Sequence, residues 1–288
     1  MSDVMTPDTG VEPMGEVTVR HRGRRGDSVT KVIGVVVSIL VSIFLLVPAL
    51  TVVVMSFAGG TQIEFPPHDW GFVEYHRFFT DGIWIPAIRQ SLEVGLPVSV
   101  FAVLIGVPAA VGLQRTSLPQ RGLVRTLGLA PLVVPGVAYA VALYDFFSQI
   151  QLIGSYWGLV LADTMLVLPF VVILVEAALL RVPKDLELVA MSLGASRSRA
   201  VIGITLRLIR PAILSAFLLA FVSNFDEAVF VNFLGGAGLN TLPKTIFGSL
   251  RTGLDPSITA VATSLMVIST AVVVAAFALQ RRGQGGRA

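Results

Sequence analysis

Among the acidic residues inside otherwise apolar runs of this sequence, five are candidates for chemistry: Asp145, Asp163, Glu176, Asp226 and Glu227. A charged side chain at the centre of a bilayer-length helix costs about 2.5–3.5 kcal/mol on insertion scales, so such groups face a cavity, a cation or a neighbouring helix. Asp226 and Glu227 are adjacent, and neighbours on a helix point about 100° apart, so they need not share a face. Two readings stand for the pair: it meets a cationic solute or forms part of its gate, or it braces helices through hydrogen bonds. For Asp145 and Asp163 the bracing reading is the stronger. Tyr144 and Phe225 adjoin these acids and are placed to stack on an ammonium group or to pack as ordinary aromatics. Other chemistries are excluded or unsupported. There is no cysteine, hence no thiolate ligand or nucleophile. His21, His68 and His76 lie outside the apolar runs without metal-ligand spacing, so no metal site is expected. No Gly-x-x-x-x-Gly-Lys-Ser/Thr occurs, so this chain has no P-loop and no nucleotide cofactor of its own.

The elements that must hold these acids are membrane helices. Of 288 residues 54% are hydrophobic and only 14% charged, against about 25% charged in soluble domains. Apolar runs at 31–57, 87–113, 123–148, 156–180, 208–234 and 257–280 are each long enough to cross about 30 Å of hydrocarbon. Helices satisfy their own backbone there, which gives an all-α protein of six spans. Pro97, Pro108, Pro131, Pro135 and Pro169 fall inside these runs as candidate kinks. Residues 1–30 lack apolar periodicity and read as a mobile tail, and 281–288 as a second one. The first run exceeds the length of a signal-peptide core and so stays in the protein.

The isoelectric point of 9.6 does not indicate nucleic acid, because the basic residues cluster at the edges of the spans. Arg20, Arg22, Arg24, Arg25 and Lys31 precede the first. Arg115, Arg121 and Arg125 flank the loop after the second, and Arg181, Lys184, Arg197, Arg199, Arg207 and Arg210 the loop after the fourth. Arg281, Arg282 and Arg287 follow the last, so 17 of 21 basic residues fall on one side. By the positive-inside rule both termini are cytoplasmic. The opposite loop, 58–85, contains Trp70, Tyr75, Phe78, Phe79 and Trp84, as interfacial anchors or as loop packing.

The loop 181–207 is too polar to cross a membrane, yet patterned. Leu186, Val189, Ala190 and Leu193 recur at i, i+3, i+4 and i+7, one face of a helix of about three turns. Pro183 suits its start, Asp185 and Glu187 suit its positive end, and Gly194 a left-handed stop. Ser196 and Ser198 then cap a second helix that leads into the fifth span.

Here the sequence resembles a family. Ala190 and Leu193-Gly194-Ala195-Ser196, with Pro211 downstream, resemble the EAA loop of ABC importer permeases. The family's Glu-Ala-Ala falls on Leu188, Val189 and Ala190; only the last matches, and an acid stands one place early at Glu187. The later Ile-x-Leu-Pro falls on Ile204, Thr205, Leu206 and Arg207, without the proline. Phe65-Pro66-Pro67 with Trp70, Tyr75, Asp81, Trp84, Ala87 and Ser91, then Phe225-Asp226-Glu227 and Leu242-Pro243, resemble the spermidine/putrescine importer permeases. The same pattern extends to importers of ferric iron, thiamine, aminoethylphosphonate and opines.

The resemblance implies the type I importer permease (MetI-like) fold. It makes residues 185–196 a coupling helix seated in a groove of an ATP-hydrolysing subunit. It also implies two such subunits that bind ATP and Mg, a second permease, an extracytoplasmic binding protein and a bacterial inner-membrane location. The expected activity is transport, with no enzymatic site in this chain. A secondary transporter would tend to show internal repeats, which are not evident. An intramembrane protease would need two converging aspartates, and the flanks of Asp145 and Asp163 carry no catalytic motif.

Overall fold

The computed structural model describes residues 24–60, 64–115, 120–252 and 255–284; most of the expected N-terminal tail and residues 285–288 lie outside them. The chain divides into residues 1–51 and 52–288. The first unit contributes most of α1 (Arg24–Met55). In it the hydroxyls of Ser38 and Ser42 donate to the carbonyls of Gly34 and Ser38, so neither is left unsatisfied in an apolar helix.

The second unit is built on α3 (Trp84–Arg115), α6 (Tyr156–Leu179) and α10 (Arg210–Phe225). Their contact faces are small. Val98, Ala102 and Ala110 of α3, Leu159, Ala162, Val167 and Val171 of α6, and Ala216 and Ala220 of α10 are fully buried. Small residues let helix backbones approach where no hydrophobic force separates helix from lipid. At Gly106 the approach is closest, since a Cβ there would stand 2.8 Å from Val171 Cγ1.

Two of the six expected spans are broken. The run 123–148 is divided into α4 (Arg121–Leu129), a 3₁₀ turn at Ala130–Leu132 and α5 (Gly136–Gln149), with a 102° bend. Pro131 and Pro135 each lack an N–H and crowd the preceding turn, so the helix cannot continue through both. The run 208–234 is also not one helix. A π turn at Val201–Thr205 and the short α9 (Leu206–Leu208) lead to a 71° bend before α10. Pro211 sits in the first turn of α10, where its missing N–H costs nothing. A second break at Asp226–Ala228 separates α10 from α11 (Val229–Leu234). Among the described residues, Lys31–Met55, Trp84–Arg115 and Tyr156–Leu179 are single helices long and apolar enough to cross a membrane. With the two bent pairs and α13 (Ser257–Gln284) they fall on the six apolar runs.

The aromatic loop resolves by residue. Trp84 is buried and donates to Ser257 Oγ at 3.0 Å. Phe78 packs beside it, and the Tyr75 hydroxyl meets Ser56 Oγ at 2.8 Å. Loop packing therefore accounts for these three, the last two on the short α2 (Val73–Thr80), whereas Trp70 and Phe79 remain exposed.

Candidate functional site

The patterned loop contains α7 (Asp185–Ser192), two turns rather than three, followed by α8 (Arg197–Ala200). Leu193 lies beyond the helix end, 84% exposed, and Gly194 takes φ +92°. The Gly194 and Ala195 N–H groups close on the carbonyls of Met191 and Ala190, both at 3.0 Å. A side chain at 194 would meet no atom within 4 Å, so the demand for glycine is conformational, not steric. Ser196 caps α8 by accepting the Arg199 N–H at 3.4 Å; Ser198 lies within that helix and does not cap it.

Apolar exposure on α7 is broader than the expected stripe. Leu186, Leu188, Val189 and Met191 are all exposed along with Leu193, while Ala190 is half-buried. Asp185 is exposed in the first turn. Glu187 alone is buried. It points inward to an ion pair with Arg115, Nε to Oε1 3.0 Å, and accepts the Thr205 hydroxyl. Its inward direction follows from the buried arginine, which offers a compensation that a surface position lacks.

The acids of the membrane helices fall into distinct environments. Asp226 and Glu227 share a cavity of about 460 Å³ with Leu166, Val167, Phe170, Val222 and Ser223, between α6 and the α10–α11 break. Asp226 is exposed, and its carboxylate has no hydrogen bond or ion pair among the described residues. Glu227 is half-committed: one oxygen accepts the N–H groups of Val229 and Phe230 at 2.6 and 3.0 Å, capping α11. This capping is why the helix stops at 225 and restarts at 229.

Tyr144, Asp145 and Phe225 do not line that cavity. Asp145 is exposed on α5 and accepts from Gln149 Nε2 at 3.3 Å, beside an exposed Tyr144. Phe225 packs on Phe221, ring centroids 5.7 Å apart, and against the Trp84 cluster, so packing accounts for it. Asp163 is buried and bonded to Asn224 Nδ2 at 2.6 Å, and Glu176 pairs with Arg125 at 3.1 Å. Asp145 and Asp163 make no mutual contact of the kind an aspartyl protease needs.

Sequence reasoning missed a second cavity, of about 670 Å³, lined by Gln90, Asn232, Asn240, Lys244, Thr245 and Ser249 among others. Lys244 donates there to the carbonyls of Gly236 and Leu239. Burial holds its ammonium below the usual lysine range. No periodic signal marks this site, since its residues come from α3, α11, the segment before α12 (Leu242–Thr252) and α12 itself.

A core of small-residue helix packing, two broken spans and a polar loop bearing an apolar helix describe a helical protein with several helices apolar enough to cross a membrane. The family described as binding-protein-dependent transport system inner membrane component matches residues 102–284. The chain belongs to this family and is a permease component of an ATP-binding-cassette importer. The spermidine/putrescine transport system permease protein PotC of Haemophilus influenzae is 27% identical over 240 residues, 83% of this chain and 93% of that protein. The putrescine transport system permease protein PotI of Escherichia coli is 30% identical over 243 residues, 81% and 85%. The sulfoquinovosyl glycerol transport system permease protein SmoH of Agrobacterium fabrum is 29% identical over 207 residues, 70% and 73%. The fold is that of a chain in the crystal structure of a bacterial ABC transporter involved in the import of the acidic polysaccharide alginate. The TM-score is 0.64 at 18% identity, covering 88% of this chain and 96% of that one.

Proposed function

We propose that this chain forms half of the pathway of a polyamine importer in the bacterial inner membrane and couples it to ATP hydrolysis through α7. Two ATPase subunits bind the ATP and Mg, a second permease completes the pathway, and an extracytoplasmic binding protein delivers the substrate. The observation that carries the coupling is the apolar surface of α7. A short helix on a polar loop that leaves Leu186, Leu188, Val189, Met191 and Leu193 in solvent gains nothing by folding that way unless a partner covers it. The cavity holding Asp226 and Glu227 supports the substrate class. It contains two carboxylates and no basic residue, which suits an amine and opposes anionic solutes.

Leu193→Asp and Leu188→Asp place a charge in the proposed interface. Each is expected to abolish co-purification of the ATPase subunits while membrane insertion persists; retention of the ATPase by both variants removes the docking role. Orientation is tested separately. Ser198→Cys, next to α7, is expected to resist a membrane-impermeant thiol reagent in intact cells, and Thr80→Cys, at the end of α2, to react. Labelling of Ser198→Cys from outside reverses the topology.

A further inference from the structure

α7 buries no apolar side chain; its single buried residue is Glu187. The one side chain by which the helix is fully anchored to the membrane domain is therefore polar. The Glu187 carboxylate pairs with Arg115, the two side chains 10% and 5% exposed, and accepts from Thr205. Arg115 is the last residue of α3. Its Nη2 donates to the Val182 carbonyl at 3.1 Å, and its own carbonyl accepts from Arg197 Nη2 at 2.7 Å. The end of α3, the link after α6, α7, α8 and the π turn at Val201–Thr205 thus meet at one ion pair. π turns often mark functional positions, and this one ends on the residue that completes the contact.

We propose that the Arg115–Glu187 pair, closed by Thr205, is the positioning device that makes α7 move as one body with α3 and the start of the fifth span. The proposal rests on α7 being the ATPase contact. Glu187 faces Arg115 and Thr205, away from the apolar surface of α7, and acts through that helix. A buried ion pair resists partial disengagement because either charge alone is strongly penalised. A push on α7 is then delivered to α3 and α10, two of the three helices that form the core, and α10 ends at the Asp226 cavity. If α7 were held by exposed contacts alone, it could swing without moving either.

The test uses the full importer, this chain with its ATPase subunits and second permease, in proteoliposomes with the binding protein and a labelled polyamine. ATP hydrolysis and uptake are measured together. In Glu187→Gln and Thr205→Val the ATPase subunits are expected to co-purify and hydrolyse ATP, while uptake per ATP falls about tenfold, the scale of mutations within a coupling network. With Arg115→Gln measured alongside Glu187→Gln, the double variant Arg115→Gln/Glu187→Gln is expected to lose no more than the worse of those two, because both remove one interaction. An unchanged uptake per ATP in both single variants overturns the proposal. So does a parallel fall of uptake and hydrolysis, or failure of both to assemble, which is what a mere structural brace would give. Additive losses in the double variant dissolve the pair. The docking reading fails by a different result, ATPase retained in Leu193→Asp and Leu188→Asp.

Discussion

Asp226→Asn is expected to lower polyamine uptake about tenfold with an unchanged amount of assembled complex. The side chain keeps its size and hydrogen-bonding capacity, and only the charge goes. Asp226 has no partner among the described residues whose loss would disturb the fold. A carboxylate about 4 Å from an ammonium gains about 4 kcal/mol at an effective dielectric of 20. Desolvation of both groups offsets much of this, and a surplus near 1.4 kcal/mol is about a factor of ten. Glu227→Gln is expected to do less. One Glu227 oxygen is already engaged by two backbone N–H groups, and a glutamine carbonyl preserves that cap. Uptake of labelled putrescine and spermidine by membrane vesicles measures both. If the double variant assembles and transports at the original rate, the carboxylates are not part of the pathway.

What was legible in the sequence was local. The i, i+3, i+4 spacing from Leu186 to Leu193, the glycine at 194 and the serine at 196 act within one or two turns, and the helix, the φ of +92° and the cap all follow. The direction of Glu187 did not follow. Helix-dipole reasoning places an acid in the first turn but cannot say which way it faces. That is decided by Arg115, far away in sequence. The prolines at 131 and 135 were visible as kinks, yet a kink and a 102° bend have the same local signature; their combination in one turn makes the difference. The break at Asp226–Ala228 was hidden because two acids inside an apolar run read equally well as part of one continuous helix facing a cavity. Glu227 folding back on two N–H groups is a side-chain choice that periodicity does not record. The role of Asn224 is hidden for the same reason. It is a single polar residue in an apolar run, and its meaning depends on Asp163, a helix away.

That last contact separates a brace from a pathway residue, and it yields an asymmetric expectation. Asp163 is 3% exposed, with Asn224 Nδ2 on one carboxyl oxygen and no hydrogen bond to the other. Asn224 fits because α3 presents Gly95 to it, where a Cβ would stand 3.2 Å from Asn224 Oδ1. Within membranes such a polar pair contributes only about 0.6 kcal/mol on average. Removing one partner is a different matter, because the carboxyl group would then be buried without a donor, at about 3 kcal/mol. Asn224→Leu is therefore expected to destabilise the complex strongly. Asp163→Leu should cost less, since it also removes a buried carboxyl oxygen that has no hydrogen bond to lose. In Asp163→Leu/Asn224→Leu an apolar pair of similar volume should restore most of the loss. Thermal unfolding of the detergent-purified complex ranks the three. If Asn224→Leu is as stable as Asp163→Leu, the carboxyl has other support and the bracing account is wrong. If all three are stable but uptake falls, Asp163 belongs with Asp226 on the pathway.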